Sequence, residues 1–302
     1  MVSRLTTPDP AAAQVNQRAI LLMILSMGLL ALTDMFAKLA LQTIPYGEVM
    51  FVVSVGGTIL FMAMARWQRA PLVMPEFRHP AVIWRNIFEV IAGVSITIAI
   101  ARIPLPTFAA VMQFSPLVVT LGAAVLLKEA VGWRRWTAVF IGIVGMLIIL
   151  RPGTAGFSPD VLWAVVAVSA LAFRDLTTRL APPNVSSITL STWGFGATIP
   201  VALVLMLTTG DGIKLDTMGL IYSGAAVIST TFGYYAITSA MRMAPASVVA
   251  PFRYARLIFT TGLAIAVFGQ WPDGMTLLGA AIIMASGLYS FARERRLAQK
   301  AA

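Results

Sequence analysis

The chain has 302 residues, of which 59% are hydrophobic and only 11% are charged, with a net charge of +10. A soluble domain carries about 25% charged residues, so this deficit, with a mean hydropathy of +0.86, excludes an ordinary water-exposed surface. The sequence contains no cysteine, which excludes disulfides and thiolate metal sites. The composition predicts an integral membrane protein.

Apolar runs follow one another along nearly the whole chain. A polar segment, residues 1–17, comes first, and it lacks the pattern of a cleaved signal peptide, so we expect a retained cytoplasmic tail. A helix needs about 20 apolar residues to cross the bilayer core. Ten runs qualify, at 18–41, 46–66, 82–102, 105–127, 134–151, 158–179, 186–208, 217–241, 246–268 and 273–292. The prediction is an all-α membrane protein of ten transmembrane helices, which a basic tail, 293–302, follows.

Lysine and arginine lie mostly at one end of these spans, for example in the loop 66–85 and in the tail 293–302. The opposite end holds Arg102, Arg151 and Lys214. Cytoplasmic loops carry the excess of positive charge in membrane proteins, so both termini are predicted to be cytoplasmic. This distribution explains the net charge without a nucleic-acid partner.

The two halves of the chain correspond in sequence. A shift of 140 residues places Gly93 on Gly233 and Leu117 on Leu257. Each half has five predicted spans, an odd number, so the second half enters the membrane from the opposite side. We predict two inverted five-helix repeats, 18–151 and 158–292, a pattern typical of alternating-access transporters with a binding site between the repeats.

A charge pair recurs at equivalent places in the two halves. Asp34 precedes Lys38 by four residues, as Asp175 precedes Arg179, and inversion puts the two pairs near opposite membrane surfaces. One interpretation is that each cation reaches the headgroups while its aspartate neutralises it. The other is gating, in which the pairs form and break as each mouth closes. Arg174 is a third charge at this level, without a counterpart in the first half.

The ninth span carries the strongest binding candidates. Arg253 and Arg256 are three residues apart and share one helix face, just after Pro251, which removes a helical hydrogen bond. Gln113 occupies the equivalent place in the fourth span. Guanidinium groups bind carboxylate or phosphate in a bidentate manner. The alternative is that both arginines neutralise the membrane carboxylates Asp34, Glu89 and Asp175.

Other polar and aromatic residues in the spans leave alternatives open. Glu89 either carries a proton, as buried carboxyl groups do when their pKa rises, or pairs with Arg85 one turn earlier. Four aromatic residues either shape a binding pocket or serve in packing: Trp193, Tyr234, Tyr235 and Tyr254. No metal, nucleotide or nucleophile motif is present in the sequence, so we expect neither an enzyme nor a bound cofactor.

The chain resembles the EamA-type members of the drug/metabolite transporter superfamily over roughly residues 18–292. The most specific match is Gln-Phe-Ser-Pro-Leu at 113–117, Leu-Lys-Glu at 127–129 and Gly-Ile-Val-Gly-Met-Leu at 142–147. The second half departs from the pattern, with Gly269-Gln270 where the family's turn has an acidic residue. The resemblance implies an inner-membrane metabolite carrier, with four-helix bundles rocking around a cavity while the fifth and tenth spans brace or dimerise, as a monomer or homodimer.

Taken together, these features lead us to expect a secondary active transporter. Its substrate would be a small organic metabolite with an anionic group, such as an amino acid, a carboxylate or an aromatic or heterocyclic metabolite. Protons are a candidate coupling ion through Asp34, Glu89 or Asp175. The alternatives are a vitamin or cofactor importer of the same family, riboflavin-like in substrate, and a passive facilitator or channel.

Overall fold

A computed structural model describes residues 10–126, 132–208, 213–244 and 246–301. This part of the chain is helical and contains no strand, as predicted. The helices are α1 (Pro10–Ala40), α2 (Tyr46–Trp67), α3 (Pro80–Arg102), α4 (Leu105–Met112), α5 (Ser115–Leu126), α6 (Trp133–Leu150), α7 (Val161–Arg179), α8 (Ser187–Thr208), α9 (Thr217–Met243), α10 (Ala246–Val249), α11 (Ala255–Phe268) and α12 (Gly274–Ala301). Short 3₁₀ segments cover Pro75–Arg78 and Ala250–Tyr254.

Eight helical stretches are long and apolar enough to cross a membrane: Gln14–Ala40, Tyr46–Trp67, Pro80–Arg102, Leu105–Val125, Val161–Arg179, Ser187–Thr208, Thr217–Met241 and Gly274–Arg293. The predicted span 134–151 corresponds to a shorter apolar helix, Trp136–Leu150. The segments expected as tails are helical where they are described, since α1 begins at Pro10 and α12 continues to Ala301. Residues 1–9 and the turn at 127–129 lie outside the described residues.

The helix of the fourth span is interrupted in each half, within the predicted spans 105–127 and 246–268. The chain turns at Gln113 and Phe114 between α4 and α5, and it passes through the 3₁₀ segment between α10 and α11. Pro116 and Pro251 lie at these breaks. Proline has no N–H to donate, and its ring clashes with the carbonyl one turn earlier, so an α-helix cannot run through it undisturbed.

Helices of one half pack against helices of the other. The main contacts join α1 with α9, α2 with α8, α3 with α7, and α6 with α12. Exchanging the two halves replaces α1 by α7, α2 by α8, α3 by α9 and α6 by α12. The α1–α9 contact then becomes the α7–α3 contact, and the α2–α8 and α6–α12 contacts stay the same. Two inverted five-helix repeats produce this symmetry, in agreement with the predicted fold.

The contact between α6 and α12 is close because both helices present glycine. A Cβ atom at Gly145 would lie 2.9 Å from the carbonyl oxygen of Gly279, and one at Gly279 would lie 2.5 Å from that of Gly145. Small residues allow such close backbone approach in membranes. No described side chain of these two helices lines the central cavity described below, as expected for spans that brace the bundle.

The bundle has two distinct ends. At the α1–α2 end, the Glu48 carboxylate accepts hydrogen bonds from the backbone N–H groups of Lys214 and Leu215 in the α8–α9 connection. At the α2–α3 end, Trp193 Nε1 donates to the Leu72 carbonyl oxygen at 2.9 Å.

Candidate functional site

A cavity of about 220 Å³ lies inside the bundle. Helices from both halves line it, and both proline-associated breaks contribute residues, including Gln113 and Arg253. It extends from Tyr234 in α9 to Val49 in the first turn of α2 and Ile100 in the last turn of α3. We call this space the central cavity.

Much of the central-cavity wall is apolar. The side chains that form this part of the wall come from six helices: Met27, Leu30, Val53, Ile96, Leu171, Phe195 and Ile237. Hydroxyl groups interrupt the wall at two helix contacts, where Thr198 donates to Ser54 at 2.7 Å and Thr230 to Thr33 at 3.1 Å. An apolar surface with a few placed polar groups is typical of small-molecule sites.

Asp34 and Arg256 form a buried ion pair in this wall. Arg256 Nη2 lies 2.7 Å from Asp34 Oδ1, and its Nε lies 3.2 Å from Oδ2. Thr260 donates a further, long hydrogen bond of 3.4 Å to Oδ2. The Asp34 side chain is only 3% exposed and that of Arg256 is 19% exposed. Arg256 of α11 therefore neutralises the membrane carboxylate of Asp34 in this conformation, as in the second interpretation drawn from the sequence.

Lys38 does not pair with Asp34, which corrects the within-helix pair expected from sequence. Its Nζ donates to the carbonyl oxygens of Ile100 and Ile103, at 2.6 and 2.8 Å. The last carbonyls of a helix have no intrahelical donor and attract cations. Lys38 thus ties α1 to the C-terminal end of α3, and Asp34 is left free to bind Arg256.

Four charged groups and a phenol form a second network at the side of the cavity nearer the α2–α3 end. Glu89 lies 2.9 Å from Arg85 and 3.4 Å from Arg174, measured between oxygen and nitrogen atoms. Arg174 also contacts Asp175 at 2.7 Å and donates to the hydroxyl of Tyr234. The Glu89–Arg85 pair, one of the two alternatives open from sequence, is present within α3, and the contact of Glu89 with Arg174 joins α3 to α7.

Asp175 faces Arg174 and Arg253, and not Arg179 as the sequence pattern suggested. Arg179 is exposed in the last turn of α7, while Asp175 lines the central cavity. Two residues four positions apart on a helix can pair. The guanidinium groups of Arg174 and Arg253 are nevertheless the ones that contact Asp175.

Arg253 is the least engaged arginine of the cavity. Its ion pair with Asp175 is long, 3.9 Å between Nη2 and Oδ2, and its side chain is 31% exposed. The other two arginines in the lining, Arg174 and Arg256, each have a carboxylate at 2.7 Å. Arg253 is therefore the guanidinium that a bound anion would reach with the least rearrangement of existing pairs.

The predicted binding residues do not all reach the central cavity. Gln113, Tyr234, Arg253 and Arg256 line it, as do the predicted gating or coupling residues Asp34, Glu89, Arg174 and Asp175. Trp193 anchors the α2–α3 connection, and Tyr254 packs against Gly287 of α12. Tyr235 faces a second, smaller cavity. These three lie apart because of the direction in which each side chain leaves its helix.

Sequence reasoning overlooked Phe61, Phe195 and the hydroxyls of Ser54 and Thr198. Phe61 and Phe195 are buried and contact Tyr234. Serine and threonine in the middle of apolar spans were an available signal, because hydroxyl groups there need partners. The phenylalanines carried no such signal. Among the described residues no group of three or more His, Asp or Glu side chains is placed to hold a metal ion.

A multi-pass bundle of two inverted repeats around a central cavity defines a class of membrane transporters. The sequence pattern of the EamA-like transporter family matches residues 17–151 and 159–291. The chain therefore belongs to this family, part of the drug/metabolite transporter superfamily, and the names of the family and of its relatives indicate membrane transporters.

Similar proteins include transporters of different solutes. The S-adenosylmethionine uptake transporter of Rickettsia felis is 29% identical over 63% of this chain and 64% of its own length, so the chain spans less than two thirds of that relative. The riboflavin transporter of Vibrio cholerae is 32% identical over 67% of this chain and 68% of its own length. The pseudopaline exporter CntI of Pseudomonas aeruginosa is 25% identical over 88% and 93%.

A solved crystal structure shares the fold, with a TM-score of 0.59 at 18% sequence identity. The similarity covers 95% of this chain and 98% of the other. It concerns the fold alone.

Proposed function

We propose that the protein is a secondary active transporter that moves a small organic metabolite with an anionic group across the inner membrane by alternating access. The observation that carries the proposal is Arg253, which lines the central cavity with only a long ion pair to Asp175. A carboxylate or phosphate of the solute would accept hydrogen bonds from this guanidinium in a bidentate manner. Gln113, at the break of the fourth span, lines the same cavity and offers an amide to the solute.

The rest of the central cavity supports this substrate class. The three carboxylates in the lining, Asp34, Glu89 and Asp175, already contact arginines, so a bound anion would not face an unpaired negative charge. The apolar wall suits a ring or an aliphatic part of the same molecule. The volume of the central cavity, about 220 Å³, is below the roughly 300–1,000 Å³ of pockets for drug-sized ligands. Amino acids, carboxylates and small aromatic or heterocyclic metabolites fit these properties.

The membrane placement is also part of the proposal. Lysine and arginine cluster at the α2–α3 end of the spans, which supports an inner-membrane protein with both termini in the cytoplasm. The candidates for proton coupling are Glu89, Asp34 and Asp175. Each carboxylate lines the cavity close to arginines, which would bind the ionised carboxylate and separate from the protonated one.

A second candidate substrate class is a vitamin or cofactor. The similarity to the Vibrio cholerae riboflavin transporter, 32% over 67% of this chain, favours it. The relatives also include both an uptake transporter and an exporter. Solute and direction are therefore best decided together in one reconstituted system.

The test is a mixed-metabolite uptake screen in proteoliposomes, with and without a pH gradient. We expect saturable uptake of an anionic metabolite, faster when the same solute is present on the far side. In Arg253→Gln the KM should rise by about tenfold or more, the loss of a charge-assisted hydrogen bond of about 1.4 kcal/mol. Arg102→Gln, which removes an exposed arginine paired with Asp160 at the α1–α2 end, is the matched control.

Three results would contradict the proposal. Unchanged transport in Arg253→Gln would remove the binding assignment. Uptake of a cofactor with no preference for an anionic group would favour the second candidate. Flux that never saturates and shows no trans-stimulation would indicate a facilitator or channel.

A further inference from the structure

Three aromatic rings separate the central cavity from a second cavity. The ring centroids of Phe61 and Phe195 are 5.2 Å apart, those of Phe61 and Tyr234 are 6.2 Å apart, and those of Phe195 and Tyr234 are 6.0 Å apart. Each ring thus contacts the other two. We call Phe61, Phe195 and Tyr234 the aromatic cluster. It joins α2, α8 and α9 at the level where the central cavity ends.

The second cavity lies on the opposite side of the aromatic cluster, toward the α2–α3 end, and has a volume of about 130 Å³. Phe61 and Tyr234 belong to its lining, and Phe195 and Tyr234 belong to the lining of the central cavity. Tyr234 therefore borders both spaces. In α8, Ser191 lies one turn from Phe195 toward the α2–α3 end, and in α9 Thr238 lies one turn from Tyr234 in the same direction.

The lining of the second cavity is unusually rich in hydroxyl groups. Its polar residues are Gln68, Ser186, Ser187, Ser191, Thr238 and Ser239. No charged side chain belongs to the described lining. Hydroxyl oxygens accept as well as donate, so such a surface solvates neutral polar groups, namely hydroxyls and amides. A solute that moved from the central cavity toward the α2–α3 end would meet this polar surface.

Two contacts hold the aromatic cluster in place. The hydroxyl of Tyr234 accepts a hydrogen bond from Arg174, which also contacts Glu89 and Asp175. The ring of Phe195 lies directly on the backbone of α2, because a Cβ atom at Gly57 would clash with its Cδ1. The cluster is thus tied to the charge network on one side and to a glycine surface on the other.

We propose that the aromatic cluster is the gate between the central cavity and the α2–α3 end, and that the second cavity is a transit site for the hydroxyl- or amide-bearing part of the solute. This inference rests on the proposed alternating-access function. In the present conformation the rings close the path. Opening requires α2 to separate from α8 and α9, which moves Phe61 away from the other two rings.

Cysteine accessibility tests the gate directly, because the natural chain contains no cysteine. Ser191→Cys places a thiol in the second cavity, and Thr97→Cys places one in the central cavity. A membrane-impermeant methanethiosulfonate bearing a sulfonate group is added to membrane vesicles of each orientation. From the α2–α3 side, Ser191→Cys should react at least about tenfold faster than Thr97→Cys, a difference equivalent to about 1.4 kcal/mol.

Removing a ring should open the path. Adding Phe195→Ala to Thr97→Cys should raise its labelling rate from the α2–α3 side by about tenfold, equivalent to about 1.4 kcal/mol. Phe195→Leu, which retains most of the bulk, should give a smaller increase. Phe232→Ala, on the exposed face of the same bundle, is the matched control.

Equal labelling of Thr97→Cys with and without the Phe195 ring would overturn the gate. Failure of Ser191→Cys to react from the α2–α3 side would overturn the transit site. The measurement needs no substrate, so it separates this proposal from that of transport: uptake that depends on Arg253, with no effect of Phe195→Ala on labelling, would retain the transporter and place its gate elsewhere.

Discussion

The buried ion pair between Asp34 and Arg256 should be highly asymmetric in its response to mutation. The Asp34 side chain is 3% exposed and that of Arg256 is 19% exposed, so the two partners have unequal access to cavity water. Arg256→Gln leaves a carboxylate that water hardly reaches. Asp34→Asn leaves a guanidinium that still borders the cavity. We therefore expect Arg256→Gln to destabilise the protein more than Asp34→Asn.

The magnitudes follow from the contacts. Nη2 and Nε of Arg256 make three hydrogen bonds to the carboxylate, at 2.7, 2.9 and 3.2 Å. Breaking a buried pair by removing one partner costs about 3–5 kcal/mol, which we assign to Arg256→Gln. An orphan group that retains water contact costs about 1–3 kcal/mol, which we assign to Asp34→Asn. The double variant should be less destabilised than the sum, with a coupling energy of about 1–3 kcal/mol.

Unfolding by SDS in mixed micelles measures these free energies, and the chain's 7 tryptophans supply the fluorescence signal. The matched control is the exposed pair Arg102–Asp160, with an N–O distance of 3.2 Å and side chains 54% and 36% exposed. Exposed pairs contribute less than about 1 kcal/mol, so its coupling energy should be small. Equal destabilisation by the two single variants, or a coupling no larger than that of the control, would refute the reasoning.

Three further predictions concern stability, the first two measured by the same SDS unfolding assay and the third by thermal unfolding. Lys38→Met should lower the free energy of unfolding by about 1–3 kcal/mol, because it leaves two carbonyl oxygens at the end of α3 without their donor. A decrease no larger than that caused by the same substitution at an exposed lysine would contradict this. Gly279→Val should separate α6 from α12 and destabilise the bundle, whereas Gly224→Ala, where the added Cβ meets open space, should be neutral or stabilise by up to about 1 kcal/mol. At the start of α12, burial raises the pKa of Asp273, but hydrogen bonds from Thr276 and the pairing with Arg151 outweigh it and hold this pKa below its ordinary value of 3.8. The stabilisation by Asp273 is therefore present above pH 3.8 and is lost as the pH falls through the lower folded-state pKa. The difference in Tm between the natural protein and Asp273→Ala should thus be larger near pH 7 than near pH 3. A difference in Tm that does not change with pH would contradict this.

The gating hypothesis for Asp34 and Asp175 remains a prediction, but the structure changes the partners it must involve. Both carboxylates line the central cavity and contact arginines from other positions, not the cations one turn away. A gate built from them would exchange the contacts of Asp34 with Arg256 and of Asp175 with Arg253, which join different helices. Neutralising Asp34 and neutralising Asp175 should still favour opposite-facing states if the two sites are related by inversion.

Several features of the candidate site were open to prediction from sequence. Apolar length located the spans, and the constant shift between halves indicated the repeat. Arg253, Arg256 and Gln113 were singled out because polar groups are costly in lipid and must face a cavity or a partner. The prolines at 116 and 251 mark the two interrupted spans, and the loss of a helical hydrogen bond at Pro251 was already expected from sequence. From sequence, Tyr234, which lines the cavity, could not be distinguished from Tyr254, Tyr235 and Trp193, which do not. Helical spacing alone does not show which helix face points toward the cavity.

The sequence by itself determined the membrane class, the two-repeat architecture and the set of charged residues inside the spans, because hydropathy and repetition are properties of local segments. Tertiary structure alone decided the partners of those charges. Asp34 binds an arginine 222 residues away in preference to the lysine one turn along its own helix, which binds α3 instead. The physical reason is that an ion pair forms between the groups that packing brings within about 3 Å, and only the arrangement of the helices fixes that distance.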